Sequence, residues 1–278
     1  MLNALTIDVE DYYQVTAFEH AIDKCHWETM ESRIQQNVEK VLSILNEYRV
    51  NATFFILGWV AERYPILIKA IENEGHEIAS HGYDHTMLTQ HSQESFTEDV
   101  AKTKMILEDI TGTKVKGYRA PSFSITSSSL WALNILSAQG YSYDSSIFPI
   151  RHDRYGLPHA QRFPHVITID GHSMREFPPS TIRIFGCNFP IAGGGYLRLL
   201  PLTLIEWGIK KLNTTDKQPA IIYIHPWELD PSQPRIPASF INRFRHYTNL
   251  DSTEIKLRHL FKNFKFTTLS KISAHLFN

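Results

Sequence analysis

His81 and His85 stand four residues apart, and their side chains are the first in the chain whose type and spacing suggest chemistry. If the segment after Ser80 is helical, both imidazoles leave one face and reach a single metal ion. A pair of this kind needs a carboxylate, and the largely apolar stretch 3–9 runs into the acidic cluster Asp8, Glu10 and Asp11. An isolated pair of histidines at this spacing arises often by chance and is more commonly solvated than ligating, so its meaning depends on its company. Three further groups keep it company: Arg119 just before Pro121, Asp144, and His225, each at the end of an apolar run. Taken singly they read as a surface cation, a helix cap and a satisfied core histidine. Five polar termini in register with the strand pattern are harder to obtain by accident.

The elements that must position these groups follow from hydrophobic periodicity. Short β-branched or apolar runs at 3–9, 51–57, 76–80, 141–144 and 220–224 read as buried strands, and 117–123 as a strand passing into a loop. Between them, 31–48, 65–73, 93–109, 129–139 and 201–213 carry apolar stripes of helical period, with Pro65 in a first turn and Gly75 and Gly140 just past two ends. Strand and helix alternating with short links means a parallel β/α architecture, whose strand ends gather at one rim. Strand alternation aims Asp8 and Glu10 at the same face, and Asp11 joins them only if the strand has ended by then. Alternation alone leaves open which of these carboxylates joins the histidines.

Past Pro149 the pattern loosens. Residues 151–164 read as a long surface loop, and 166–170 with 174–177 as a hairpin turning at Asp170-Gly171. The glycine run in Ile191-Ala192-Gly193-Gly194-Gly195-Tyr196 lacks the context of a dinucleotide or phosphate loop and reads as a flexible turn near the site. The tail, 251–275, closes the core as helix, strand and helix. No fixed-period repeat or linker divides the chain, so residues 1–278 are expected to form a single domain.

Composition narrows the function classes. With 278 residues, 42% hydrophobic and 21% charged, the chain can bury a large core, and a net charge of −1 argues against a nucleic-acid or anionic-membrane partner. Cys25 and Cys187 are too few for a disulfide framework. Leu2 to Val9 is too short for a span and is interrupted by Asp8, so neither signal peptide nor transmembrane segment is read and a cytoplasmic location is expected. Oligomeric state has no sequence signal.

The order Asp8-Val9-Glu10-Asp11, His81-x3-His85, Arg119-Ala120-Pro121-Ser122, Asp144 and His225 resembles the NodB-homology polysaccharide deacetylases, carbohydrate esterase family 4, over residues 3–228. Tyr12-Tyr13 after the acidic group, Ala192-Gly193-Gly194-Gly195-Tyr196, His225-Pro226-Trp227-Glu228 and Arg243 to Leu250 are similar to the subgroup associated with exopolysaccharide loci of exosortase-type bacteria, with a subgroup-specific part from about 150. The resemblance implies an α/β fold, a distorted (β/α)7-type barrel of the glycoside hydrolase/deacetylase kind. It also implies a divalent metal, usually zinc, held by His81, His85 and one carboxylate, Glu10 by strand geometry or Asp11 by carboxylate type and a possible kink; the metal lowers the pKa of a water and polarises the acetamide carbonyl. Asp8 is then the general base oriented by Arg119, the Ser122 N–H helps to hold the oxyanion, and His225, supported by Asp144, protonates the departing amine. Pro121 and Phe123 shape the same loop. Three departures stand out: the acidic residues are spread over four positions, Ser122 occupies a place where an aromatic is common, with Phe123 available as groove wall, and Ser145-Ser146 follow Asp144 where tryptophan is usual. The expected function is N-deacetylation of a glycan or of a lipid- or nucleotide-linked amino-sugar precursor. The competitors are an allantoinase-like amidohydrolase on a small cyclic amide and a catalytically silent carbohydrate-binding protein, for which Tyr12, Tyr13, Trp59, Tyr196 and Trp227 are candidate groove aromatics.

Overall fold

Strand β1 (Leu2–Val9) is buried at every residue after Leu2, as a strand covered on both faces must be, and the rest of the molecule is laid around it. The computed structural model describes residues 1–169 and 171–277. In chain order β1 is followed by α1 (Ile34–Tyr48), β2 (Thr53–Ile56), α2 (Gly58–Arg63), α3 (Pro65–Asn73), β3 (Glu77–Ser80), α4 (Gln93–Thr111), β4 (Gly117–Tyr118), α5 (Trp131–Ala138) and β5 (Tyr143–Asp144). Two hairpins come next, β6 (His165–Ile169) with β7 (His172–Glu176) and β8 (Thr181–Ile184) with β9 (Cys187–Pro190). The chain ends with α6 (Gly195–Leu199), α7 (Leu202–Lys211), β10 (Ile221–Ile224), α8 (Phe240–Tyr247), α9 (Leu250–Asn263), β11 (Lys265–Thr267) and α10 (Leu269–Phe277).

Strands β10, β1, β2, β3, β4, β5 and β7 pair side by side in that order and all run parallel, so among the described residues the barrel wall has the seven parallel strands expected of it. β6 adds an antiparallel edge to β7, and β11 pairs with the start of β1. Among the described residues no ladder forms between β7 and β10. The barrel is joined there by two bonds at Ser180, whose N–H donates to Ile221 O at 3.2 Å and whose Oγ accepts from Ile221 N at 2.7 Å. That gap is the distortion of the barrel.

The periodic helices lie where the apolar stripes put them: α1 buries Ile34, Val38, Val41, Leu42 and Leu45, and α4 buries Phe96, Val100 and Leu107. The short helices α2, α6 and α8 and the β8–β9 hairpin have no counterpart in the sequence reading. α2 and α8 are only six and eight residues long, and β8–β9 alternates too weakly to stand out. The β6–β7 hairpin forms close to the expected strands, while the Asp170 turn position lies outside the described residues. Residues 151–164 are irregular, as read. Gly193 is fixed against β10: its φ is +144, and an added Cβ would sit 1.7 Å from Tyr223 O. The expected flexible turn is therefore a backbone docked on a strand, with Tyr223 N donating to Ala192 O at 2.7 Å and Gly194 N donating to Tyr223 O at 3.1 Å.

Candidate active site

Each polar group of the site leaves the carboxyl end of a parallel strand. β1 delivers Asp8 directly. Just past its end the Glu10 N–H donates to Asp8 O at 3.1 Å, a tight bend that turns Glu10 into the same cleft. Both carboxylates are about 2% exposed. Asp11, one residue on, turns the other way. Its Oδ2 accepts from Ser32 Oγ (2.8 Å), Arg33 N (2.8 Å) and Ile34 N (3.2 Å), and its Oδ1 accepts from Tyr12 N (2.9 Å). Asp11 therefore caps the start of α1 from a distant segment, and of the two acidic candidates for a ligand it is Glu10 that faces the histidines. Asp11→Ala is expected to lower stability by roughly 1–2 kcal/mol, the cost of losing an N-cap, in urea unfolding.

His81 and His85 do come together, with ring centroids 5.4 Å apart, but not on a helix. Residues 81–85 form a loop in which Gly82 (φ +73) and His85 (φ 59) are left-handed. Its backbone is claimed by neighbours: Gly58 N and Trp59 N, at the start of α2, donate to Gly82 O and Tyr83 O, and Asp99 accepts from Tyr83 N. Those bonds replace the i to i+4 bonds of a helix. His81 Nδ1 donates to Arg119 O at 2.8 Å, which turns the lone pair of Nε2 toward the cleft, and burial pushes this imidazole down to about 4, so it is neutral near pH 7. His85 Nε2 lies 2.8 Å from Glu10 Oε2. One ligand atom from each of Glu10, His81 and His85 falls within 4.8 Å of the others. Burial opposes ionisation of Glu10, yet the charges of His85 and His225 hold its carboxyl well below the usual range. Two imidazoles and a carboxylate, all buried and close together, are the kind of donor set that holds a divalent metal.

Arg119 is wholly buried at the end of β4. Its Nη1 donates to Asp8 Oδ1 (2.6 Å) and Thr6 Oγ1 (2.7 Å), while Nε and Nη2 donate to Ser145 O and Ser145 Oγ. After it the chain bends sharply at Pro121: Ser122 and Phe123 are both left-handed (φ 52 each), an arrangement that costs non-glycine residues energy and that the surrounding bonds impose. Ser122 Oγ bonds Thr16 Oγ1 at 2.6 Å, and the Phe123 ring packs edge-on against Tyr223, 4.9 Å between centroids, as part of the cleft wall.

His225 follows β10 and reaches the carboxylates from the opposite side, its Nε2 3.4 Å from Glu10 Oε1 and 3.9 Å from Asp8 Oδ2. The support expected for it from Asp144 comes instead from Glu228. Glu228 Oε2 lies 3.2 Å from His225 Nδ1 and also accepts from His225 N at 3.0 Å. Burial alone would depress the imidazolium of His225, but Glu10 and then Glu228 push it up to about 9. Glu228 is held in turn by Arg198 Nε at 2.7 Å. Asp144 sits lower in the barrel, bonded to Ser146 N and Ser146 Oγ and paired in register with Glu176 of β7. Burial, and then the Asp144 charge, raise Glu176 well above the usual carboxyl range. Because Ser146 Oγ accepts from Ala120 N, Asp144 acts on the 119–122 loop from beneath. The spacing of His225 and Glu228 was the available sequence signal for the true partner; nothing local marked Arg198.

Above these groups opens a cleft of ≈ 390 Å³. Its wall includes Phe123, Tyr155, Tyr196, Tyr223 and Trp227, and Trp227 Nε1 donates to Glu10 Oε1 at 3.3 Å. Of the other groove candidates, Tyr12, Tyr13 and Trp59 pack in the core. No helix among the described residues is long and apolar enough to cross a membrane.

Residues 20–143 match the family described as Polysaccharide deacetylase, and residues 145–274 match one described as a Domain of unknown function (DUF3473). Both stretches contribute strands to the same barrel. A peptidoglycan-N-acetylglucosamine deacetylase of Bacillus cereus is 38% identical over 94 residues, 34% of this chain and 34% of that protein. The chain thus spans about a third of the length of the curated relatives it matches. The crystal structure of a putative polysaccharide deacetylase from Mycobacterium smegmatis superposes with TM-score 0.65 at 19% identity, covering 98% of this chain and 88% of that one. A family 4 acetyl xylan esterase from Clostridium thermocellum, solved with a cobalt ion, superposes with TM-score 0.51 at 14% identity, covering 99% and 91%. At these identities the superpositions establish a common fold.

Proposed function

We propose that this chain, with its polysaccharide deacetylase match over residues 20–143, is a metal-dependent hydrolase that removes N-acetyl groups from a glycan or from a lipid- or nucleotide-linked amino-sugar precursor, in exopolysaccharide or cell-surface polysaccharide synthesis. The observation that carries it is the convergence of Glu10, His81 and His85 beside Asp8 and His225 in one cleft. Glu10, His81 and His85 would hold a divalent metal, zinc by their donor chemistry, which would supply Lewis-acid polarisation of the amide carbonyl and lower the pKa of a bound water.

The chain's own residues do the rest. Asp8 takes the proton of the attacking water, its position fixed by Arg119 Nη1. The Ser122 turn presents its backbone toward the carbonyl oxygen as charge develops there. His225, on the far side of the carboxylates and backed by Glu228, gives a proton to the departing amine. Water adds to the carbonyl carbon, the C–N bond breaks, and acetate and a free amino sugar leave. A cleft of ≈ 390 Å³ with an aromatic wall is of the size and character that holds a saccharide, which favours this reading over a small cyclic amide. The presence of base, three ligands and acid together favours turnover over silent binding.

Metal content and acetate release from N-acetylated chitooligosaccharides test the proposal. The protein is expected to hold one equivalent of zinc, to lose activity to a chelator and to regain it with zinc; His81→Ala loses both metal and activity, and Asp11→Ala keeps its metal. Zinc binding without acetate release from any N-acetylated saccharide would sink the deacetylase reading in favour of the cyclic amide. A protein that binds no metal at all would leave carbohydrate binding as its function.

A further inference from the structure

The floor of the cleft balances its own charge. Asp8 is paired with Arg119, Arg198 with Glu228, and Glu10 faces three histidines. The mouth does not. Arg154, from the irregular segment 151–164, and Arg245, from α8, both line the cleft, and neither is needed to neutralise a group inside it. They are held close together. Arg154 Nη2 donates to Asn242 Oδ1 at 2.8 Å, and Asn242 lies three residues before Arg245 on α8, so the helix face that binds the Arg154 guanidinium also carries Arg245. Asn242 in turn donates to Ala17 O at 2.7 Å, which ties that face to the cleft wall. Among the described residues no carboxylate pairs with Arg154. Arg245 is met at 3.3 Å by Asp153, whose side chain is 58% exposed, a surface pair of the weak kind that an incoming anion displaces. Tyr155, beside Arg154, stacks on His152 with 3.8 Å between ring centroids, which stiffens the segment that carries this arginine.

Resting on the deacetylase reading, we propose that Arg154 and Arg245 form an anion subsite at the cleft mouth and that the substrate is an N-acetylated sugar bearing a carboxylate or phosphoryl group. Two planar guanidiniums offering forked N–H donors at the rim of an aromatic cleft suit a phosphate or carboxylate and have no task with a neutral oligosaccharide. A phosphoryl group could belong to a soluble sugar nucleotide or to a lipid-linked sugar. The outward side of α8 exposes Phe240 (83%), Ile241 (60%) and Phe244 (49%) beside the arginines, so the lipid-linked form is included in the test.

The zinc-loaded protein is given UDP-N-acetylglucosamine, polyprenyl-diphosphate-linked N-acetylglucosamine in mixed micelles, an acidic N-acetylated oligosaccharide carrying carboxylates, and neutral tetra-N-acetylchitotetraose. Binding of each to Asp8→Asn is measured alongside, so that recognition is read apart from turnover. At least one anionic substrate is expected to have a kcat/KM and an affinity about tenfold or more above the neutral one. That ratio is expected to collapse in Arg154→Gln and Arg245→Gln, chiefly through KM, and to persist in Arg243→Gln, an exposed α8 arginine that does not line the cleft. Which anionic substrate leads identifies the source of the charge. Equal use of neutral and anionic substrates, or a ratio that ignores Arg154 and Arg245, overturns the subsite and leaves the deacetylase standing. Selective, arginine-dependent binding with no acetate from any substrate supports the subsite and overturns the deacetylase.

Discussion

Asp8→Asn is expected to lower acetate release by about 10²–10⁴-fold, the usual contribution of a general base, while zinc stays bound. The reason lies in how the two carboxylates of β1 divide their work. Glu10 faces His81 and His85, whereas Asp8 shares the Nη1 group of Arg119 with Thr6, both accepting a hydrogen bond from it. An asparagine in place of Asp8 keeps an acceptor oxygen for Nη1 and the shape of the site, yet has no basic oxygen to receive a proton. Zinc analysis and acetate release on the same sample check it, and zinc loss in Asp8→Asn would mean that Asp8 is a ligand after all. Paired with His81→Ala, which loses the metal, the variant separates base from ligand.

Arg119→Met is expected to be the most damaging single substitution in the barrel, costing about 3–5 kcal/mol, a large part of the stability of an ordinary domain. Arg119 is 0% exposed, and its guanidinium joins four groups from β1 and the end of β5: Asp8, Thr6 and both the carbonyl and hydroxyl of Ser145. Methionine fills much of the volume but leaves the buried Asp8 charge without its hydrogen-bonded cation, only His225 remaining at 3.9 Å, and strands the acceptors of Ser145. Urea unfolding reads the loss. If an unpaired Asp8 is the main cost, adding Asp8→Asn to Arg119→Met restores part of the stability, because the buried charge is then gone; a double variant no more stable than the single one would assign the cost to lost packing and hydrogen bonds instead.

Much of this was legible along the chain because it is written in local repeats. Period-2 and period-3.6 apolar patterns marked β1, β2, β3, β10, α1, α3 and α4, and those patterns arise from neighbours in sequence. Asp8, His81, His85, Arg119 and His225 were recognisable because each follows such a run and because their order resembles a known set of motifs. Short helices escaped for the same reason: α2 and α8 span too few turns for a stripe to accumulate.

What the tertiary structure alone decided were choices of partner. Glu10 and Asp11 are adjacent carboxylates, and strand alternation could not finish the choice because the chain bends at Glu10. The outcome depended on backbone donors at Arg33 and Ile34, more than twenty residues away, which draw Asp11 out of the cleft. The histidine pair has helical spacing, yet α2 and Asp99 claim the backbone between its members and hold it as a loop. Asp144 ends a strand like the other site residues, but Ser146 and Glu176 occupy it, and the capping geometry after β10 hands His225 to Glu228. Sequence determined which side chains arrive at the rim, since that follows from local periodicity; the fold determined which of them touch, since a buried polar group settles on whichever partner long-range packing brings within reach.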